Sequence, residues 1–461
     1  MKRWLCVLGV PLLLAGCSTF PTSMEAVREA DLGSHALPIQ QWQTEAGSRV
    51  LFVNSPTLPM VDVRLVFDAG SARDGDHYGV ASLTSALIGE GAEGLDVEDI
   101  ARGFEALGVS YGASSYRDMA IVEMRSLTDP DYFEPALDLF TRMVSTPTFP
   151  QTALERIRQQ YLTGLQREKQ VPGPQVSKAY NRVLFGEHPY GHPSDGTEDS
   201  LPAIRREQLA RFHQAYYAAG NAVIAITGDL SDDQARQLAE RLSSALPAGE
   251  AAPALPRAHV LEQQIVSHQT FDSEQTILLL GNQAIYRGHP DWVPLYVGNY
   301  ILGGGGFASI LTDEVREGRG YVYGIHSRIS PMAAAGPFSI QFRTANDNAD
   351  DALALTLALV SDFVANGPTA AQVEDAVNNI TGSFALDVAE NDDIVGQLGA
   401  IGFYNLPTDY LQWFEAEVRK VTPESIRAAF QRNLDPDDLA IVSIGPQAPA
   451  VPERSGADAT K

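Results

Sequence analysis

The residues able to hold a catalytic metal or build a nucleophilic triad are present in this chain, but their spacing serves neither chemistry. Nine histidines occur, yet no H-x-x-E-H or H-E-x-x-H run sets two of them one helical turn apart with a glutamate between. In that arrangement two imidazoles hold zinc and the acid activates a water. His188 and His192 are four apart, but Pro189 and Gly191 break the helix that would align their rings. His77 has no acidic or histidine partner at ligand spacing on the helix that follows it, which favours an ordinary loop histidine. No G-x-S-x-G presents a serine nucleophile, and the run Gly303–Gly306 lacks the Lys-Ser/Thr of a phosphate loop. Those four glycines instead permit close backbone approach in a loop.

Two cysteines remain, Cys6 and Cys17. Lys2 and Arg3 precede an apolar run from Trp4 to Ala15, too short to span a bilayer and of the length of a signal-peptide core. The run ends in Leu14-Ala15-Gly16-Cys17, which resembles the bacterial lipobox. That resemblance implies removal of residues 1–16, lipidation of Cys17 and, with Ser18 rather than an acid after it, sorting to the outer membrane facing the periplasm. Cys6 would be lost and Cys17 acylated, leaving no thiol for a disulfide, a metal site or a nucleophile. Residues 17–37 then read as a flexible tether. The formal charge of −25 argues against nucleic acid and against docking on anionic lipid through a basic patch.

The elements that would carry any site fall into two similar halves. Val61–Phe67 alternates as a half-buried strand, and helical spacing follows at 78–88 and 97–107. A strand at 120–126, helices from Tyr132 to Phe185 and an apolar strand at 221–226 complete residues 38–246. After an Ala/Pro-rich linker at 247–260, the order recurs in residues 261–446. Strands are expected at 275–280, 338–342 and 439–445, with a helix at 292–302. Val144–Thr148 with Glu155 and Thr163-Gly164 is echoed by Val364–Thr369 with Glu374 and Thr381-Gly382. Such a long period means duplicated domains. The order predicts an α+β fold of two homologous α/β sandwich domains, with mostly antiparallel sheets packed with helices, and a disordered tail at 447–461.

Gly70-Ser71-Ala72-Arg73-Asp74, Gly79-Val80-Ala81, His188-Pro189-Tyr190-Gly191 and Gly228-Asp229 resemble the insulinase family of zinc peptidases. Leu302–Phe307 and Arg316–Tyr323 extend the resemblance into the second half, closest to bacterial two-domain members related to the mitochondrial processing peptidase. Active members carry H-x-x-E-H directly after the position of Ala81. Here Ser82 stands for the first histidine, Ser85 for the glutamate and Ala86 for the second histidine, and Leu162–Leu165 offers no acid for the further glutamate ligand. No zinc is therefore expected on this chain.

The family's second-half pair is kept. The resemblance implies that Arg316 binds substrate carbonyl oxygens and Tyr323 stabilises the oxyanion, near a zinc held elsewhere. The structural alternative is that Arg316 pairs with Glu317 or Asp313 and Tyr323 packs in the sheet. Loss of the metal site alone resembles heterodimeric members in which one chain binds zinc and the other supplies the Arg/Tyr pair. The implied function is the non-metal subunit of an envelope metallopeptidase, with a zinc-motif homologue as partner and a peptide as substrate. The alternative is an inactive, tethered peptide-binding or scaffold lipoprotein.

Overall fold

A computed structural model describes residues 37–452; the expected leader, Cys17, nearly all of the expected tether and the end of the expected tail lie outside the described residues. The strands are β1 (Gln40–Gln43), β2 (Arg49–Asn54), β3 (Met60–Phe67), a short hairpin of β4 (Gly91–Ala92) and β5 (Leu95–Asp96), β6 (Ser110–Ser115), β7 (Ala120–Leu127) and β8 (Ala222–Gly228) in the first half. The second half supplies β9 (Ile265–Thr270), β10 (Gln275–Gln283), β11 (Val322–Ile329), β12 (Pro337–Ala345) and β13 (Ala440–Gly445).

The duplication is visible in the strand order. The first sheet runs β1-β2-β8-β3-β7-β6 and the second β9-β13-β10-β12-β11. Matching β2 with β9, β8 with β13, β3 with β10, β7 with β12 and β6 with β11 superposes the two orders, with β1 as an extra edge. The parallel pair falls in the same place in both sheets, β2 with β8 and β9 with β13. Every other pairing is antiparallel. The closing strands β8 and β13 are buried along their whole length. Strands covered on both faces need apolar side chains throughout, so Ala222–Gly228 and Ala440–Gly445 lack polar alternation.

The helices also repeat. In each half a short helix follows the first long strand: Val80–Leu87 after β3 and Trp292–Asn299 after β10. A pair of long helices follows the hairpin of β6 and β7 or of β11 and β12: Pro130–Ser145 with Gln151–Glu168, and Ala349–Asn366 with Ala370–Ser383. The next helix in each half is exchanged. Pro172–Phe185 places Val176, Tyr180 and Leu184 against Ile277, Leu279, Val442 and Ile444 of the second sheet. Asn391–Phe403 places Val395, Leu398 and Ile401 in one core with Leu51, Val66 and Val223 of the first sheet. Polar contacts follow the same crossings. Tyr180 donates to the Phe338 carbonyl at 2.7 Å, and Arg49 donates to the Gly402 carbonyl at 3.0 Å.

Three differences from the sequence expectations have physical causes. The expected helix at 292–302 is α-helical to Asn299 and then widens into a π turn at Tyr300–Gly304. There Gly305 N–H reaches the Tyr300 carbonyl at 2.8 Å. Gly303 requires this close approach, because a Cβ on it would lie 2.6 Å from the Ser327 hydroxyl. The linker has no regular structure between the helix Asp232–Ala245 and β9, but it is pinned. Ala219 N–H bonds the Pro247 carbonyl at 2.9 Å, Ala252 N–H bonds Asn221 at 2.8 Å, and Leu255 and Leu261 pack on the core under the helix Pro172–Phe185. The expected disordered tail is corrected over its described part. Ala450 N–H bonds Asp350 at 2.8 Å and Val451 packs on the large core. Among the described residues no single helix is long and apolar enough to cross a membrane.

Candidate functional site

The helix Val80–Leu87 begins at Gly79, whose φ of +94° suits glycine, and it has no capping side chain at that position. Asp74 takes over the role from five residues upstream. Its carboxylate accepts the Gly79 N–H at 2.7 Å and the Ala81 N–H at 2.9 Å, satisfying two donors that a helix start leaves open. Burial pushes the Asp74 carboxyl up to about 7, against the opposing pull of those two N–H groups.

On this helix Ser82 and Ser85 are buried, while Ala86 is half-buried. The Ser82 hydroxyl donates to the Ser194 carbonyl at 2.9 Å, so the loop after His192 lies over it. Tyr161, one residue before the stretch where a glutamate ligand is expected, approaches the Ser82 carbonyl with its hydroxyl at 3.5 Å. Burial first, and Asp195 second, push that hydroxyl up to about 12. The Ser85 hydroxyl and the buried Tyr217 hydroxyl have no hydrogen-bond partner within normal geometry. These groups do not fit a zinc ion: two serine hydroxyls and an alanine stand where two imidazoles and a glutamate are expected, and residues 162–165 supply no further acid. No cluster of three or more His, Cys, Asp or Glu side chains that would hold a metal occurs among the described residues.

Arg316 and Tyr323 do come together. Arg316 lies in a π turn, Thr312–Gly318, and Tyr323 is the second residue of β11, next to a register shift between Val322 and Gly324. The guanidinium stands 5.5 Å from the centre of the Tyr323 ring and 4.9 Å from that of Phe307. Both rings face solvent, at 86% and 77% exposure, so Tyr323 is not packed into the sheet. The structural alternative holds in part for Arg316, whose Nε lies 3.3 Å from Glu317. Such an exposed ion pair contributes little to stability. Phe307 on the glycine loop completes a stack that spacing alone did not single out. Among the described residues no hydrogen bond or ion pair joins this stack to Ser82, Ser85 or Ala86.

The other motif residues do structural work that the sequence did not disclose. Tyr190 donates to Asp118 at 2.5 Å and accepts the Ala334 N–H at 2.9 Å. Asp118 also accepts from Ala333 N–H at 2.8 Å and from the Tyr404 hydroxyl at 3.1 Å. One buried carboxylate thus ties the first half to two separate segments of the second, and its burial raises its pKa. Gly70 is required beside it, since a Cβ would lie 2.5 Å from the Arg117 carbonyl oxygen. His188 binds the Pro256 carbonyl at 3.0 Å through Nε2. His192 stacks on Tyr78 at 4.2 Å, and His77 meets Gln208 at 3.0 Å. All three histidines have structural neighbours.

Comparison with known proteins agrees with this geometry. Residues 49–197 match the family described as Insulinase (Peptidase family M16), and residues 203–380 match Peptidase M16 inactive domain. A solved structure from Pseudomonas fluorescens, described as a peptidase M16 inactive domain, is 44% identical with a TM-score of 0.87, covering 90% of this chain and all of the other. A protease structure from Helicobacter pylori shares the fold, with a TM-score of 0.83 at 16% identity over 89% of this chain and all of the other. A Helicobacter pylori protein named non-peptidase homolog YmxG is 24% identical, across 86% of this chain and 91% of its own. An uncharacterized zinc protease YmxG of Bacillus subtilis is 22% identical, across 88% and 98%.

Proposed function

The chain belongs to the insulinase (M16) peptidase family, and from that premise we propose that Ser82, Ser85 and Ala86 occupy the positions of the family's zinc motif and that the chain is the non-metal subunit of a two-chain envelope metallopeptidase. Its zinc-bearing partner would be a family member with an intact H-x-x-E-H. The observation that carries this proposal is the selective pattern of loss. The metal ligands are replaced together, while Arg316 and Tyr323 stand side by side with the tyrosine ring exposed. A guanidinium and a phenol held this way suit the carbonyl and oxyanion of a peptide bound by a partner, where one such donor is worth roughly 100- to 1000-fold in rate. The lipobox-like Cys17 would hold the pair at the outer membrane, facing the periplasm.

Zinc content and peptide cleavage are measured for this chain alone, for a zinc-motif relative from the same cell, and for the mixture. Cleavage is expected only in the mixture, and it should fall about 100-fold or more with Tyr323→Phe or Arg316→Ala. Cleavage by this chain alone, or a mixture indifferent to both substitutions, overturns the proposal. The second reading is a tethered peptide-binding lipoprotein without catalysis. It draws support from the Arg316–Glu317 pair, which occupies the guanidinium within this chain, and it becomes the better account if no zinc-motif relative co-purifies.

A further inference from the structure

The second half holds a cavity of about 590 Å³ beside the edge strand β11, whose lining does not include Arg316 or Tyr323. Its walls include Arg287, Trp292, Tyr296, Asn299, His326 and Arg328, and none of its lining side chains is acidic. Asp387 acts electrostatically on Tyr296 without forming part of the wall. In a chain with 58 acids against 33 lysines and arginines, two arginines that face one cavity without an acidic wall call for an explanation.

The Arg287 guanidinium lies over aromatic rings, 5.3 Å from the ring centres of both Trp292 and Tyr404. Its Nε is buried and has no hydrogen-bond partner. Arg328 is exposed on β11. Burial, with Arg328 adding repulsion, lowers the pKa of His326. Asn299 donates to the Ser327 carbonyl at 3.3 Å, which leaves its Oδ1 buried without a donor. The cavity therefore offers two guanidinium groups in its wall, an unpaired acceptor on Asn299 and an apolar flank on Trp292 and Ile329. A buried unpaired polar group is destabilising, and a ligand supplying its partner would recover that loss.

The edge strand itself is not open for strand addition at this point. The outward carbonyls of Ile325 and Ser327 are approached by the Thr312 hydroxyl at 3.5 Å and by Asn299. What fits is therefore a chain end rather than an extended strand. We propose that this cavity binds the free C-terminal carboxylate of a peptide, with Arg287 and Arg328 holding the carboxylate, Asn299 Oδ1 accepting the last amide N–H, and Trp292 flanking an apolar last side chain. The site rests on the peptide-handling function above, but not on a zinc-bearing partner, so it is tested on this chain alone.

Calorimetry on the purified full chain compares acetyl-Ala-Ala-Leu as its free acid with the same peptide as its C-terminal amide. The free acid should bind at least tenfold more tightly, and Arg328→Ala or Arg287→Met should each remove at least tenfold of its affinity. Arg328 is exposed, so its variant tests the site even if the Arg287 variant folds poorly. Arg343→Ala, on β12 and outside the cavity lining, should bind as the native chain does. Equal binding of acid and amide, or indifference to both arginine variants, overturns the proposal. Equally tight binding of inorganic phosphate or of acetyl-Asp-amide also overturns it, by showing an unselective anion site. Failure of the cleavage experiment with the zinc-bearing relative would leave these results unaffected.

Discussion

Replacing Tyr190 or Tyr404 by phenylalanine tests how the two halves are locked, and the structure ranks the two changes. Tyr190 is fully buried, and its hydroxyl both donates to Asp118 at 2.5 Å and accepts from Ala334 N–H at 2.9 Å. Tyr190→Phe therefore removes a hydrogen bond to a carboxylate, worth about 1.5 to 3 kcal/mol, and strands a backbone donor at a further cost of about 1 to 3. A loss of roughly 3 to 5 kcal/mol is expected. Tyr404 is only partly buried, and its single bond to Asp118 spans 3.1 Å. After Tyr404→Phe the carboxylate keeps the Tyr190 hydroxyl and the Ala333 N–H, so a loss of about 1 kcal/mol is expected. Urea unfolding followed by tryptophan fluorescence and by circular dichroism measures both, with the slope of the transition checked for constancy. The reasoning is refuted if Tyr404→Phe costs as much as Tyr190→Phe, or if Tyr190→Phe costs less than about 1 kcal/mol.

Two more perturbations probe neighbouring devices. Gly281 has φ +153°, and a Cβ there would sit 1.9 Å from the Phe338 carbonyl oxygen and 2.6 Å from the Tyr180 hydroxyl. Gly281→Ala should therefore destabilise the chain by about 3 kcal/mol or more, whereas Gly324→Ala, whose Cβ would meet no atom within 4 Å, should cost far less. Comparable urea midpoints for the two would contradict this. Asp74 is raised from 3.8 to about 7 in the folded chain, so between those values the folded state keeps a proton that the unfolded state has released. Its contribution to stability is complete below about pH 4 and is lost as pH rises through about 7, by a few kcal/mol at roughly 1.4 per pKa unit. Asp74→Asn should flatten that part of the stability profile, and an unchanged slope between about pH 4 and 7 would count against it.

The sequence disclosed the architecture because buried strands and amphipathic helices leave periodic traces. Val61–Phe67, Ala120–Ser126 and Leu439–Gly445 announced strands that the structure contains with small shifts at their ends. Ser82, Ser85 and Ala86 are conspicuous in the sequence only against a motif that demands other chemistry, and the structure sets them on the helix Val80–Leu87. The exchange of helices was not legible. Val176, Tyr180 and Leu184 look the same in sequence whether they cover their own sheet or the other one. The Asp118 cluster was hidden for the same reason, because its partners at 190, 333 and 404 are distant in the chain and each is ordinary alone. Tyr190 did stand within His188–Gly191, and a tyrosine in a motif without a metal role is the signal that could have prompted a search for a buried acceptor. The pinned linker escaped because proline and alanine lack periodicity whether the segment is free or fixed by its backbone.

The exchanged helices have a mechanical consequence. Pro172–Phe185 is built from the first half but completes the core on the second sheet, and Asn391–Phe403 does the reverse. A hinge between the halves would have to tear both buried contacts at once, so opening there would break core packing on both sheets. If the chain works beside a zinc-bearing partner as proposed, admission and release of a peptide would then be governed by the angle between the two chains rather than by a hinge within this one.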